Sequence, residues 1–233
     1  PIMAESIVAG TETDVQADVR AEVKEVVEEI KEIFKELFPT KNVFRDGAQP
    51  SEILKFESET EIKLPDDVAC YFELVNGQHY VNGLLAAFFN IWMLGLDEIR
   101  TSFKMELDFI HDNFECFDQG AIPKDAVRTT YCDNQIFLAL ANDNAGNSMG
   151  VDLNPGPNGK IGQVVMWGND ILLDEWPMIV LFDSWLDFLK HFLNDLKRED
   201  KFYTIKDDNF ETEIPFYMEH LGYLAKRKYG ASL

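Results

Sequence analysis

The sequence predicts an α+β fold: a central, mostly antiparallel sheet flanked by helices, with an extra N-terminal helix and a C-terminal extension. Three observations predict it. Val15, Val19, Val23, Val26, Val27, Ile30, Ile33, Phe34, Leu37 and Phe38 recur at the spacing of one helical face. Two alternating runs, Gln135 to Ala141 and Ser148 to Leu153, are followed by a third at Lys160 to Trp167, with turn residues between them. Trp185, Phe188, Leu189, Phe192, Leu193 and Leu196 then return to helical spacing.

The elements follow in order. In the first helix, the face opposite the apolar stripe carries Glu22, Lys24, Glu25, Glu28, Glu29, Lys31, Glu32, Lys35 and Glu36, which suits a solvated surface with i to i+4 ion pairs, and Pro39 ends it. Ser51 is placed to cap a short helix carrying Ile53, Leu54 and Phe56. Leu64-Pro65-Asp66-Asp67 opens the next helix with two acids at its positive end, Val68, Tyr71, Phe72 and Val75 line one face, and Asn76-Gly77 supplies a left-handed stop before His79. The apolar run Leu84 to Leu96, with Gly83 and Gly95 as breaks, reads as one or two strands. Asp97 caps a helix with Ile99, Phe103, Leu107 and Ile110 inward, and a polar loop leads to Ile122-Pro123. After the three strands, Ser184 and Asp187 form the start of a capping box, and Lys197-Arg198 suit the negative end of that helix. The tail from Glu199 to Leu233 reads as a turn or strand and a final helix. The expected division is residues 1–40 as the acidic amphipathic helix, 41–198 as the domain, and 199–233 as the extension.

Composition narrows the functional classes. With 42 acidic and 21 basic residues the chain carries a net charge of −21, which repels nucleic acid phosphates and anionic membrane surfaces and attracts basic proteins. Cys70, Cys116 and Cys132 form no C-x-x-C pair and cannot all be paired in one chain, which fits a reducing cytoplasm. No apolar run reaches membrane-spanning length, and the start PIMAESIVAGTETDVQ lacks a basic region ahead of an apolar core. The expectations are a cytoplasmic chain, no cofactor, no nucleic acid and no membrane.

Catalytic motifs do not assemble. Gly146-Asn147-Ser148-Met149-Gly150 fits G-x-S-x-G, but that elbow needs a helix directly after the serine. Here alternating Val151-Asp152-Leu153 and then Asn154-Pro155-Gly156-Pro157-Asn158-Gly159 follow, so Ser148 reads as a hairpin residue. Gly159-Lys160 lacks the Ser or Thr of a phosphate loop. His79, His111, His191 and His220 lie in four segments without metal-ligand spacing. Asp143, Asn144, Asn147 and Asp152 offer oxygens for a hard cation, yet Ala145 stands where an EF-hand ligand should. The same residue types serve a tight turn, and that is the expected use. The separation of carboxylates such as Asp174 and Glu175 is not legible in sequence, and the chain is expected to be no enzyme.

The order of motifs is more telling. Glu57, Leu64-Pro65-Asp66, Tyr71-Phe72, Asn76-Gly77, Ile122-Pro123, Gly146-Asn147, Asp152-Leu153-Asn154-Pro155, Gly159, Gly162-Gln163-Val164 and the Trp185 to Leu193 helix together resemble the SUKH superfamily over roughly residues 50 to 196. The stretch GNSMGVDLNPGPNGKIGQVV resembles its Smi/Knr branch. The superfamily includes fungal regulators of cell-wall synthesis and bacterial immunity proteins. The resemblance implies a partner-binding module without a nucleophile. It makes Leu64, Pro65, Asn76, Gly77, Gly146, Asp152, Pro155, Gly159, Gly162 and Gln163 structural motif residues. Joined with the charge, it leads to an immunity-like module that neutralises a basic toxin such as a nuclease; the alternative is an intracellular regulatory or scaffold protein. Asp143, Asn144, Asn147, Asp170, Asp174, Glu175 and Trp176 are the expected partner contacts, because loops between strands carry recognition.

Overall fold

The N-terminal apolar stripe folds as one long helix, α1 (Val8–Leu37), which begins a full turn or more before the periodic residues do. The computed structural model describes residues 8–79, 89, 91–103, 120–128, 136–168, 177–199, 203–206, 209–212 and 217–230. From Val23 onward, Val26, Val27, Ile30, Phe34 and Phe38 are buried, whereas residues 14–18 are all exposed. The chain then forms the short strand β1 (Phe44–Asp46) and enters α2 (Pro50–Thr60).

Ser51 does not cap α2. Gln49 is the extended N-cap residue and Pro50 takes the first helical position, where its fixed φ and missing N–H cost nothing. Glu52 Oε2 accepts the Gln49 N–H at 2.7 Å. Ile53 and Phe56 face inward, but Leu54 is 63% exposed and takes no part in the core.

The helix α3 (Asp66–Leu74) opens at Pro65 as the acids suggest, yet Asn76-Gly77 does not stop it. Leu74 passes directly into the strand β2 (Val75–Gln78), antiparallel to β1. Gly77 adopts φ 81° inside that strand, and a Cβ there would run into the backbone of Leu94 and Gly95. Glycine is therefore required for close approach and not for capping. Asn76 Oδ1 instead accepts the Leu96 N–H at 2.9 Å, at the start of the helix α4 over 96–103. Glu98 Oε2 takes the Gly95 N–H at 2.8 Å, so Asn76 and Glu98 satisfy this helix start, while Asp97 is spent on Arg100 at 2.8 Å.

Among the described residues, the main sheet has six strands in the order β3 (Trp92–Met93), β5 (Phe137–Asn142), β6 (Asn147–Asp152), β7 (Gln163–Gly168), β8 (Met178–Phe182) and β4 (Ala121–Ile122). All neighbours are antiparallel except β8 and β4. This is the α+β architecture expected. Of the apolar run Leu84 to Leu96, Trp92 and Met93 form strand; residues 84–88 and 90, like Leu107 and Ile110, lie outside the described residues. β7 is buried at Gln163, Val164, Val165, Met166 and Trp167 in succession, so both of its faces are covered.

One face of β7 and β8 carries α5 (Trp185–Lys197), which α1 packs upon in turn. Ser184 Oγ accepts the Asp187 N–H at 3.1 Å, the cap the sequence indicates. Phe34 meets Phe38 and Phe44 on the N-terminal side and Phe192 of α5, whose ring also lies tilted against Phe89 and Phe188. The two helix starts are joined by one buried group: Asp67 accepts the Val68 N–H at 2.9 Å and the Leu186 N–H at 3.1 Å. Burial raises the Asp67 pKa despite these bonds. The tail forms the hairpin β9 (Tyr203–Lys206) and β10 (Asn209–Thr212), then α6 (Tyr217–Lys228) beside β8. Tyr217 donates to the buried Asp195 of α5 at 2.6 Å, which ties the extension to the domain.

Candidate functional site

β6 connects two loops of different construction. At its start, Asp143 organises the β5–β6 tip. Its Oδ1 accepts the N–H groups of Ala145 and Asn147 at 2.8 and 3.0 Å, and its Oδ2 accepts Asn147 Nδ2 at 2.6 Å. Asn142 Oδ1 accepts the Asn144 N–H at 3.2 Å, Asn144 adopts φ 57°, and Gly146 adopts φ 108°. These are Asx-type turn bonds, and they fix the tip without any ion. Asn144, Ala145 and Gly146 are exposed, Asp143 is half-buried, and Asn147 is only 8% exposed.

The cation reading fails on geometry. Asp152 stands at the far end of β6, five residues from Asn147, or about 16 Å along an extended strand. Among the described residues, no group of three His, Cys, Asp or Glu side chains could hold a metal ion. Ser148 lies within β6, paired with Asn142 on one side and Trp167 on the other, so the G-x-S-x-G match is a strand and not an elbow.

At the other end, Phe137, Asp152 and Gln163 are cross-strand partners and share one face. Asp152 is fully buried; it accepts the Asn154 N–H and Gln163 Nε2, both at 3.0 Å. Gln163 Nε2 also donates to the Ala126 carbonyl at 2.8 Å, and its Oε1 accepts the Lys160 N–H at 3.1 Å. Gly159 packs where a Cβ would run into that Ala126 carbonyl, and Gly162 turns with φ 87°. Pro155 lies beside Gly159 in the same turn, and Gly162 sits against Pro65. Leu64 is buried, with its N–H on Glu57 Oε1 at 3.0 Å. The motif residues Asp152, Pro155, Gly159, Gly162 and Gln163 thus converge on one buried clamp, with Leu64 and Pro65 alongside; Asn76, Gly77 and Gly146 act elsewhere.

Burial raises the Asp152 pKa to about 6 from 3.8, and the bonds from Gln163 and Asn154 together with the Arg128 charge oppose the rise. A raised acid binds its proton more tightly in the folded state. Its contribution to stability therefore declines as pH rises from about 4 to about 6 and is level above. In urea titrations across that window, the parent chain should lose stability relative to Asp152→Asn, which has no such proton to release. A difference independent of pH would show that the carboxyl titrates normally.

Of the expected partner contacts, Asp143, Asn144 and Asn147 come together at the tip, while Asp170, Asp174, Glu175 and Trp176 lie outside the described residues. Sequence reasoning assigned the Asp67 acid to the helix dipole alone and missed its bond to Leu186, 119 residues away. The only available signal was the doubled Asp after Leu64-Pro65.

The model of the SMI1/KNR4 family (SUKH-1) matches residues 47–191. Over 70% of its length, this chain is 26% identical to the cell wall assembly regulator SMI1 of Saccharomyces cerevisiae. Over an equal share, it is 28% identical to the cell wall biosynthesis/cell cycle regulator smi1 of Schizosaccharomyces pombe. A glucan synthesis regulatory protein of Neurospora crassa is 30% identical over 48% of this chain. The alignments cover 38%, 33% and 21% of those proteins, respectively.

Proposed function

The chain belongs to the SMI1/KNR4 family (SUKH-1), and from that premise we propose that it is the non-enzymatic, partner-binding module of a cytoplasmic regulatory or scaffold protein acting in cell-wall synthesis. The observation that carries the proposal is that the relatives covering 70% of the chain are named as regulators of cell-wall assembly or biosynthesis. The contact surface proposed is the β5–β6 tip with the segment between β7 and β8: Asp143, Asn144, Asp170, Asp174, Glu175 and Trp176. Asn147 enters through Asp143, which it holds in place. A pre-shaped tip loses little conformational freedom on docking, and that favours it as a recognition loop.

A second reading, an antidote that covers a basic toxin such as a nuclease, is favoured by one observation, the net charge of −21. Carboxylates are natural occupants of a site built for phosphate. Affinity capture of the tagged chain along a salt gradient separates the two. A multi-protein assembly that resists salt supports the regulator, whereas a single basic protein released by rising salt supports the antidote. In either case Asp143→Lys should weaken capture by about tenfold, as charge reversal at a docking rim does. Asp143→Asn should have a smaller effect, because it keeps part of the turn bonding. Unchanged capture by Asp143→Lys would remove the tip from the contact surface.

A further inference from the structure

The seam between α5 and α6 gathers titratable groups around one carboxylate. Asp195 of α5 is 6% exposed, and its Oδ2 accepts the Tyr217 hydroxyl of α6 at 2.6 Å. His191, one turn earlier on α5, places Nε2 3.4 Å from Oδ2 of Asp195, and that nitrogen is buried without a hydrogen-bond partner. Arg198 Nη1 stands 3.7 Å from Oδ1. From α6, the His220 ring stacks toward Tyr217 with centroids 6.3 Å apart, within electrostatic reach of Asp195, His191 and Arg198.

The charge of this seam depends on histidines, which exchange protons near neutral pH. With both imidazoles neutral, the Arg198 cation faces the Asp195 anion. With both protonated, three cations surround the one carboxylate, and two of them sit on different helices. Burial is the largest influence on His220 and pushes its pKa below 6.5; His191 and Arg198 act in the same direction, and Asp195 opposes them. A lowered base binds its proton less tightly with α6 docked than with α6 undocked. Docking is therefore at full strength above about pH 6.5 and weakens as pH falls below it.

The neighbouring contacts do not answer to the same protons. Lys228 of α6 is 4.0 Å from Asp183, whose pKa the Lys160 pairing holds low, and Tyr203 of β9 donates to the Leu196 carbonyl at 2.8 Å. On the α1 side of α5, Lys190 and Lys197 pair with Glu22 and Glu29. From β8, the Phe182 ring lies 5.2 Å from that of His191.

We propose that the C-terminal extension is a proton-operated latch, in which protonation of His191 and His220 loosens α6 from α5 and β8. Opening uncovers the apolar face of Tyr217, Met218, Leu221 and Ala225, together with Phe89, against which Tyr217 packs at 4.8 Å. The latch is independent of which partner the module binds.

The test follows amide exchange of the full chain between pH 7.5 and 5.5, with each rate corrected for the intrinsic pH dependence of exchange. In the parent, protection over residues 217–228 should fall about tenfold relative to α2, the effect of one pKa unit between docked and undocked histidine. In the double variant His191→Gln, His220→Gln that relative fall should vanish. The double variant keeps Asp152 and every other acid, so the comparison isolates the imidazoles. Tyr217→Phe should be less protected at both pH values and still show the fall. A constant ratio of protection in the parent overturns the latch, as does an equal fall in the double variant. If thermal melts show that the double variant does not fold, NMR titration of the parent decides. The His220 midpoint should lie below 6.5 and coincide with the loss of α6 protection, and a midpoint at or above 6.5 overturns the latch.

Discussion

Phe34→Ala should lower the stability of the chain by about 3–5 kcal/mol and its melting temperature by about 10 °C. Phe34 is 1% exposed and meets Phe38, Phe44 and Phe192, at ring-centroid distances of 6.0, 5.2 and 6.4 Å, so its removal opens a void where α1, β1 and α5 converge. By the same logic, removing residues 1–40 should leave a chain that does not fold cooperatively. It takes away Val23, Val26, Val27, Ile30, Phe34 and Phe38 together and uncovers α3 and α5. Deletion of the helix therefore cannot be used to ask whether it recruits a partner. Charge reversals on its outward face, at Glu25 and Glu32, leave the core intact and put that question directly. A truncated chain with a sharp thermal transition near that of the parent would show that α1 is an appendage after all.

Gln163→Met should cost about 2–4 kcal/mol although it preserves length and approximate volume. Asp152 Oδ2 loses its side-chain donor, and the Lys160 N–H and Ala126 carbonyl each lose a bond. The Gln163 bond is among the contributions that hold the Asp152 pKa down, so the variant's carboxyl should titrate above about 6. The deficit should then be larger at pH 8, where the carboxyl is ionised and poorly satisfied, than at pH 5, where it is protonated. Calorimetric melts at the two pH values measure this; a deficit of equal size at both would mean that Gln163 acts only through packing. The turn bearing Ile161 hangs from the same clamp, so the variant should also show faster amide exchange over residues 158–162.

Much of the architecture was legible because it repeats. The 3.6-residue period of Val23 to Phe38 and the Ser184–Asp187 cap are local signals, and both give the helices found. The strand–turn–strand order around Ser148 was also enough to set aside a nucleophile. What misled was chemistry that serves two ends. Asn76-Gly77 has the composition of a helix stop, but its glycine is used to admit the Leu94–Gly95 backbone and its asparagine to cap a different helix. Ser51 has the right side chain for a cap, but Pro50 shifts the helix start forward by two residues, to Gln49.

The sequence by itself determined the α+β class, the acidic surface, the turn chemistry of Asp143 to Gly146, and the ordered motifs by which the family is recognised. Periodicity, charge and turn preference act between near neighbours, and near neighbours are what a sequence displays. The tertiary structure alone decided that α1 belongs to the core, that Asp67 serves two helix starts, and that Asp152, Gln163 and Ala126 form one clamp under an exposed isoleucine. Each of these depends on groups distant in the chain meeting in a region without water. There a hydrogen bond or a buried ring gains its strength from exclusion of solvent, and no local pattern of residues records that exclusion.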